Sequence, residues 1–176
     1  MTVVDLRMAT LEDAETIARI HVETWRTAYA GMLPDDVLIA MSEEKQARMW
    51  RRMLRGGETV MVAEHPRHGI VAFGSYGPNR SGRDGYTGEV YTLYVLPDFQ
   101  GLGIGRGLLQ ALFGALAREG HDSALIWVLE HNPSRFFYEA MGGRPVAGRD
   151  TRMWDAALRE SAYGWESIHA LPSARV

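Results

Sequence analysis

Apolar and polar positions along this chain follow two periods, one helical and one alternating, and the switches between them mark out its elements. Residues 2–8 read as a short strand, and Thr10-Leu-Glu-Asp13 has the form of a capping box opening a helix. Ala14, Ile17, Ala18, His21, Val22, Trp25 and Ala28 then fall on one helical face. Gly31 and Pro34 interrupt that pattern. A second helix is predicted from about Glu43 to Leu54, capped by Ser42, with Ala47, Trp50, Met53 and Leu54 inward. Gly56-Gly57 breaks it, and Thr59–Glu64 and Ile70–Tyr76 follow as strands of a hairpin joined through Pro66-Arg-His-Gly69. The segment from Gly77 to Gly88, rich in glycine with Pro, Asn and Ser, reads as a loop.

The second half alternates strand and helix. Glu89 to Leu96 is a strand that meets a turn at Pro97-Asp98. A helix from about Ile104 to Arg118 follows, with Ile104, Leu108, Leu112, Ala115 and Leu116 as its apolar stripe. Ser123 to Leu129 is a nearly continuous apolar run, as in a strand buried on both faces. Strand, helix, strand in that order implies a parallel crossover. Asn132-Pro133 opens a further helix that Gly142-Gly143 ends, and Val146 to Ser167 is predicted to hold two strands around an Arg149-Asp150 loop. No repeat, linker or low-complexity segment interrupts the chain, so residues 1–176 read as a single α/β domain.

Composition narrows the chemistry. At 46% hydrophobic and 23% charged the chain is of ordinary globular type. A formal charge of -3, with one lysine and eighteen scattered arginines, argues against a nucleic-acid footprint. The absence of cysteine removes disulfides, zinc-thiolate chemistry and a cysteine nucleophile. Met-Thr-Val-Val-Asp-Leu-Arg lacks the apolar core of a signal peptide, and no apolar run reaches membrane-spanning length, so a cytoplasmic location is expected with no membrane partner. His65 and His68 are neighbours, but no third ligand stands at metal-site spacing, and no metal is expected.

Gly101, Gly103, Gly105 and Gly107 stand at every second position where the strand gives way to the helix. No Ser, Thr, Asp or Asn stands directly before the helix to cap it, so its bare amides are placed to hold an anion, most simply a phosphate. Two phosphate motifs fail here. The P-loop requires Gly-Lys-Ser/Thr, and the only lysine is the distant Lys45. The dinucleotide fingerprint requires a third glycine where Arg106 or Leu108 stands. The pattern Gln/Arg-x-x-Gly-x-Gly/Ala fits as Gln100, Gly103 and Gly105, between a Leu-Tyr-Val-x-Pro strand and a Gly-x-Leu-Leu helix. In that setting it resembles the coenzyme A pyrophosphate loop of the GNAT superfamily of N-acetyltransferases. The alternative is a glycine-rich turn that only packs a strand against a helix.

The resemblance extends to "Ile-His-Val-Glu-Thr-Trp-Arg-Thr-Ala-Tyr" near the start and to "Glu-His-Asn-Pro-Ser-Arg-Phe-Phe-Tyr-Glu-Ala-Met-Gly-Gly", similar to the family's Asn-Pro-Ala-x-x-Phe-Tyr-Glu-x-x-Gly signature. Ser134 replaces the usual alanine and Gln100 the commoner arginine. The resemblance implies a mixed, twisted sheet of about seven strands, splayed between 89–96 and 123–129 and flanked by four helices. Acetyl-CoA would lie in that opening, its pantetheine arm along Leu93, Tyr94 and Val95. Its pyrophosphate would sit on the amides of Gln100, Gly101, Leu102, Gly103, Ile104, Gly105 and Arg106, with Asn132, Ser134, Phe137 and Tyr138 on the other side.

Acyl transfer from a thioester to an amine needs a neutral amine, an oxyanion donor, a proton for the thiolate and alignment. Without cysteine, direct attack by the acceptor is the expected route. Val95 N–H is the expected oxyanion donor, and Tyr138 matches the family's general-acid tyrosine. Glu89, at the start of the central strand, is the candidate base, on the face of Tyr91, Leu93 and Val95 if the strand alternates without a bulge. Tyr29, Asp35 and Asp36 are the candidate acceptor contacts, with Arg149, Asp150 and Trp154 closing the far side; Trp25 fits the helix core better. The expected activity is acetyl transfer to the primary amine of a small molecule. A protein acceptor, or a non-catalytic acyl-CoA sensor on the same fold, are the alternatives, and a homodimer is compatible with base rates.

Overall fold

Strand β1 (Asp5–Met8) lies antiparallel to β2 (Thr59–His65) in the computed structural model, which describes residues 3–82, 85–153, 156–169 and 171. The chain divides into two compact units, Met1–Tyr76 with Thr92–Leu112 and Gly77–Tyr91 with Phe113–Val176. Strands β3 (Gly69–Pro78) and β4 (Gly88–Val95) and helix α4 (Ile104–Arg118) pass through both. One mixed seven-stranded sheet completes with β5 (Ala124–Leu129), β6 (Arg144–Met153) and β7 (Ala156–Trp165), in the order β1-β2-β3-β4-β5-β7-β6.

In the first unit a 3-10 turn, Leu11–Asp13, leads into α1 (Ala14–Ala28). Asp13 fixes that entry: its carboxylate accepts the Thr10 N–H at 2.7 Å and a charged hydrogen bond from Arg7 Nη1 at 2.8 Å. Arg7 also donates to Glu64 on β2, at 2.8 Å, so strand and helix start are tied through one guanidinium. The Arg7 hydrogen bond holds the Asp13 carboxyl below the usual range against the opposing effect of burial. Helix α3 (Glu43–Arg55) begins at the predicted cap, Ser42 Oγ accepting the Lys45 N–H at 3.3 Å. Trp50 and Phe73 are fully buried, their rings 5.2 Å apart, and Trp50 Nε1–H donates to His21 Nδ1 at 3.1 Å. Burial of each such ring is worth about 1.5–3 kcal/mol relative to exposure, and the hydrogen bond satisfies the indole N–H that would otherwise make Trp50 costly there.

A further α-helix, α2 (Asp35–Ala40), stands where the sequence pattern is interrupted, so the described residues hold five α-helices where four were expected. Six residues are too few to show a stripe, and only Leu38 among them is buried. Pro34 marks the helix start rather than a break, and Asp35 and Asp36 sit in the first turn, where the dipole favours negative charge.

In the second unit β4 and β5 pair in parallel, Gly88 with Ala124 and Glu89 with Leu125, as the strand–helix–strand pattern predicts. β7 is antiparallel to both β5 and β6. Arg149 and Asp150 do not form a loop: they stand inside β6, opposite Glu160 and Arg159 of β7, in two cross-strand charge pairs. The polar run misled because a strand's backbone ladder is indifferent to side-chain polarity where one face is solvated. Helix α5 (Ser134–Ala140) lies against β7. Tyr163 and Trp165 finish this unit's core, Trp165 edge-on to Phe113 at 5.1 Å and donating from Nε1 to the Met141 carbonyl at 2.9 Å. Trp154 lies outside the described residues.

Candidate active site

The first unit supplies the glycine-rich turn. At the end of β4, Leu96 N–H donates to the Val71 carbonyl at 2.9 Å, and a 3-10 turn, Pro97–Phe99, turns the chain with proline at its start. Gln100 does not extend outward: its Nε2 donates to the Val95 carbonyl at 3.0 Å and braces the turn. Gly101 and Gly103 then adopt φ of 74° and 83°, left-handed values that cost any other residue strain. A Cβ at Gly101, Gly103 or Gly107 would meet no protein atom within 4 Å, so the space beside this backbone is open. Leu102 is exposed, Gly105 and Arg106 are half-buried, and Ile104 anchors the start of α4 in the core. The first amides of α4, next along the chain, carry the positive end of a fifteen-residue helix.

Beside the turn, Val95 is buried while Leu93 and Tyr94 are half-buried. The Tyr94 hydroxyl accepts the Trp25 Nε1–H at 2.9 Å, and its ring stacks on His21 at 5.5 Å and 14°. Tyr29, buried at the end of α1, meets Trp25 edge-on at 4.6 Å. The first unit therefore brings Tyr29, Trp25, His21 and Tyr94 into one aromatic cluster. Burial pulls the His21 pKa down to about 4, so its imidazole is neutral and accepts through Nδ1. Asp35 and Asp36 are exposed on α2 and share no hydrogen bond or ring contact with this cluster among the described residues.

The second unit holds Glu89 and Tyr138. Glu89 is 8% exposed. Burial raises its pKa, and this is opposed by the backbone N–H groups of Arg80, at 2.7 Å, and Ser81, and by the charges of Arg149 and Arg80. A carboxylate raised in this way is a stronger proton acceptor than a solvated one. The sequence marked Glu89 but not its brackets: no side-chain pattern announces that the loop before β4 turns two amides onto it. Asn132 is buried and occupied structurally, Oδ1 accepting the Ser134 N–H at 2.9 Å while its own N–H donates to the Leu129 carbonyl at 2.8 Å. It caps α5, which presents Ser134 and Phe137, both half-buried, and Tyr138, 4% exposed. The Tyr138 ring packs among Phe137, Tyr163 and Trp165 at 5.3, 6.2 and 6.3 Å.

Comparison with known proteins converges on one family. The model of the acetyltransferase (GNAT) family matches residues 16–143. An uncharacterized N-acetyltransferase, YuaI, of Bacillus subtilis (strain 168) is 37% identical over 169 residues, covering 96% of both chains. Among solved structures, a GCN5-related N-acetyltransferase from Rhodopseudomonas palustris matches at TM-score 0.72, with 19% identity over 93% of this chain and 96% of its own. The structure of yncA, a putative acetyltransferase from Salmonella typhimurium with its cofactor acetyl-CoA, matches at TM-score 0.68, with 22% identity over 98% of this chain and 99% of its own. Among the described residues no helix is long and apolar enough to cross a membrane.

Proposed function

Since the chain belongs to the acetyltransferase (GNAT) family, we propose that it is an acetyl-CoA-dependent N-acetyltransferase acting on the primary amine of a small molecule by direct attack. The observation that carries this reading is the turn at Gly101–Gly103. Two left-handed glycines and open space beside them precede the amide end of α4, which fits a pyrophosphate. Gln100 to Arg106 would hold that group, with the backbone of Leu93, Tyr94 and Val95 along the pantetheine and Asn132, Ser134, Phe137 and Tyr138 supporting the remainder. Asn132 acts through the cap it gives α5.

Acetyl-CoA supplies a thioester whose acetyl group is transferred to nitrogen, so one C–N bond forms and one C–S bond breaks. The Val95 N–H donates to the carbonyl oxygen as negative charge develops there. Glu89 receives the proton lost by the amine, directly or across one water, and its raised pKa suits that task. The Tyr138 hydroxyl gives its proton to the departing sulfur. The tyrosine is recharged from solvent and Glu89 is discharged to it, so protons balance over a turnover. Tyr29 supports the acceptor side as part of the aromatic cluster, and Asp35 and Asp36 attract a cationic amine toward it.

The test is calorimetric titration with acetyl-CoA, followed by free-thiol release across a panel of primary amines. Tight binding with amine-dependent release is expected. In Tyr138→Phe, turnover should fall about 100-fold or more while acetyl-CoA affinity stays near that of the parent. Equal turnover would remove Tyr138 from the acid role, and absence of binding would remove the reading.

A further inference from the structure

The sheet of the second unit has two unlike faces. Gly88, Ala124 and Trp165 are register partners across β4, β5 and β7. Leu116 of α4 stands 3.1 Å from where a Cβ on Gly88 would lie, and Phe113 and Tyr138 meet the Trp165 ring, so this unit's helices cover that face. The next partners, Glu89, Leu125 and Gly164, point the other way. Alternation and register then put Trp127, Glu160 and Arg149 on the same opposite face, since Trp127 follows Leu125 by two, pairs with Ala162, and Glu160 pairs with Arg149. That side carries no helix of this unit among the described residues. It carries a row of charges and rings instead.

The row is layered. Glu89 and Glu160 are each 8% exposed and form the inner layer. Above them, the Arg149 side chain is 47% exposed, its Cζ sits over the Trp127 ring 4.1 Å from the centroid, and Nε donates to Glu160 at 2.6 Å. Arg80 Cζ sits over the Tyr91 ring, 3.7 Å from its centroid. The charge of each guanidinium is felt at Glu89. The outer layer is thus cationic and the inner layer holds the candidate base. Among the described residues Arg149 donates through Nε alone, so its two terminal amino groups have no protein acceptor. Those groups form the rigid, forked edge that matches a carboxylate. Stacking on Trp127 and the bond to Glu160 fix the fork before any ligand arrives, which reduces the entropy cost of using it. A second donor is also unmet among the described residues: Trp127 Nε1–H is buried without a hydrogen-bond partner, a state costing about 1–3 kcal/mol.

We propose that Arg149, held over Trp127 by Glu160, selects the acceptor of this protein, and that the acceptor is an amine that also bears a carboxylate, of the amino-acid type. The carboxylate takes the terminal edge of Arg149 while the amine of the same molecule addresses Glu89. The assignment rests on the acetyltransferase reading above and gives that site its substrate class. A simple cationic amine would meet the outer layer with like charge and leave the fork unused.

The experiment compares amino acids with their decarboxylated amines, pair by pair, in the thiol-release assay with acetyl-CoA, for the parent, Arg149→Ala and Arg149→Lys. The parent should favour the carboxylate-bearing member in kcat/KM. Arg149→Ala should lower the carboxylate member about 10- to 100-fold more than its decarboxylated partner, chiefly through KM. Arg149→Lys, which keeps the charge but not the fork, should recover part of that difference. A parent that favours the decarboxylated amines, or an Arg149→Ala that lowers both members of each pair alike, overturns the assignment and leaves the transferase reading standing. No thiol release from any amine overturns both. Calorimetric acetyl-CoA affinity separates an unfolded variant from a selective one, and if Arg149→Ala fails to fold, Arg149→Lys decides by the same paired ratio.

Discussion

Replacing Gly103 and Gly107 by alanine, one at a time, separates the two reasons for glycine in the turn. Both positions have open space where a Cβ would go, so neither variant collides with the protein. Their backbones differ. Gly103 sits at φ 83°, while Gly107 lies within α4 at a helical position. Alanine at Gly103 must therefore be forced into the left-handed region, at a cost of about 1–2 kcal/mol. Alanine at Gly107 removes unfolded-chain freedom and gains about 0.5–1 kcal/mol. For a chain of this length each kcal/mol shifts Tm by roughly 2–4 °C. Gly103→Ala should melt several degrees below the parent and Gly107→Ala a few degrees above it. Acetyl-CoA affinity adds the second readout. Gly103→Ala displaces the amides proposed to hold the pyrophosphate, and a loss of about tenfold corresponds to only about 1.4 kcal/mol. Gly107 lies outside that group, so its variant should bind within a factor of about two of the parent. Differential scanning calorimetry and isothermal titration at fixed salt read both quantities. If Gly107→Ala were destabilised as much as Gly103→Ala, the cost would be steric rather than torsional. If Gly103→Ala bound acetyl-CoA like the parent, the turn would not be the pyrophosphate site.

Two further predictions follow from buried titratable groups. Glu89→Gln should lower turnover about 100- to 10,000-fold and abolish the fall in rate seen as pH drops through the raised pKa of Glu89; an unchanged pH–rate profile removes Glu89 as base. The same variant should be more stable than the parent at neutral pH. A carboxyl raised in the folded state binds more protons there than when unfolded, so stability falls as pH rises through that window and the neutral amide escapes the loss. For His21 the sign is opposite, because burial lowers its pKa from 6.5 to about 4 and the unfolded chain takes the proton first. Urea unfolding should show stability declining as pH falls below about 6.5, by up to about 3 kcal/mol near pH 4. His21→Gln should flatten that slope, and a slope unaltered by the substitution would refute the assignment.

Much of this architecture was legible in the sequence because its long elements are strongly periodic. The α1 stripe from Ala14 to Val22 is buried as patterned, Ser42 caps α3, and the apolar run 124–129 is a central strand. Three features escaped. Helix α2 is one and a half turns long, too short for periodicity to register, and its proline start looked like an interruption. Two strands were expected in the last segment, but not that β6 runs through Arg149 and Asp150, a polar stretch that only the ladder to β7 and the Arg149–Glu160 and Arg159–Asp150 pairs reveal as strand. Around Glu89, the deciding partners are the backbone N–H groups of Arg80 and Ser81, and backbone donors leave no residue-type signal. The candidate site was therefore readable where function requires a residue type, as at Gly101 and Gly103. It was unreadable where function requires only a direction of the main chain.

The same contrast explains where this protein departs from its own best packing. Three of its local departures lie where chemistry is assigned. Two glycines in left-handed backbone, with open space where their Cβ would lie, precede a helix that no side chain directly before it caps. A carboxylate is buried in the second unit although its ionised form costs folding free energy there. An indole N–H beneath Arg149 is buried without an acceptor. A turn built only for packing would cap its helix with a side chain, and a core built only for stability would place Gln or Leu at position 89. Retention of a charged, partly bracketed Glu89 is explained if ionisation at moderate pH is what the position is for. The non-catalytic sensor needs the glycine turn but gives no reason to keep that carboxylate buried. On physical grounds the enzyme reading accounts for the glycine turn and for the buried carboxylate, and the sensor reading for the turn alone.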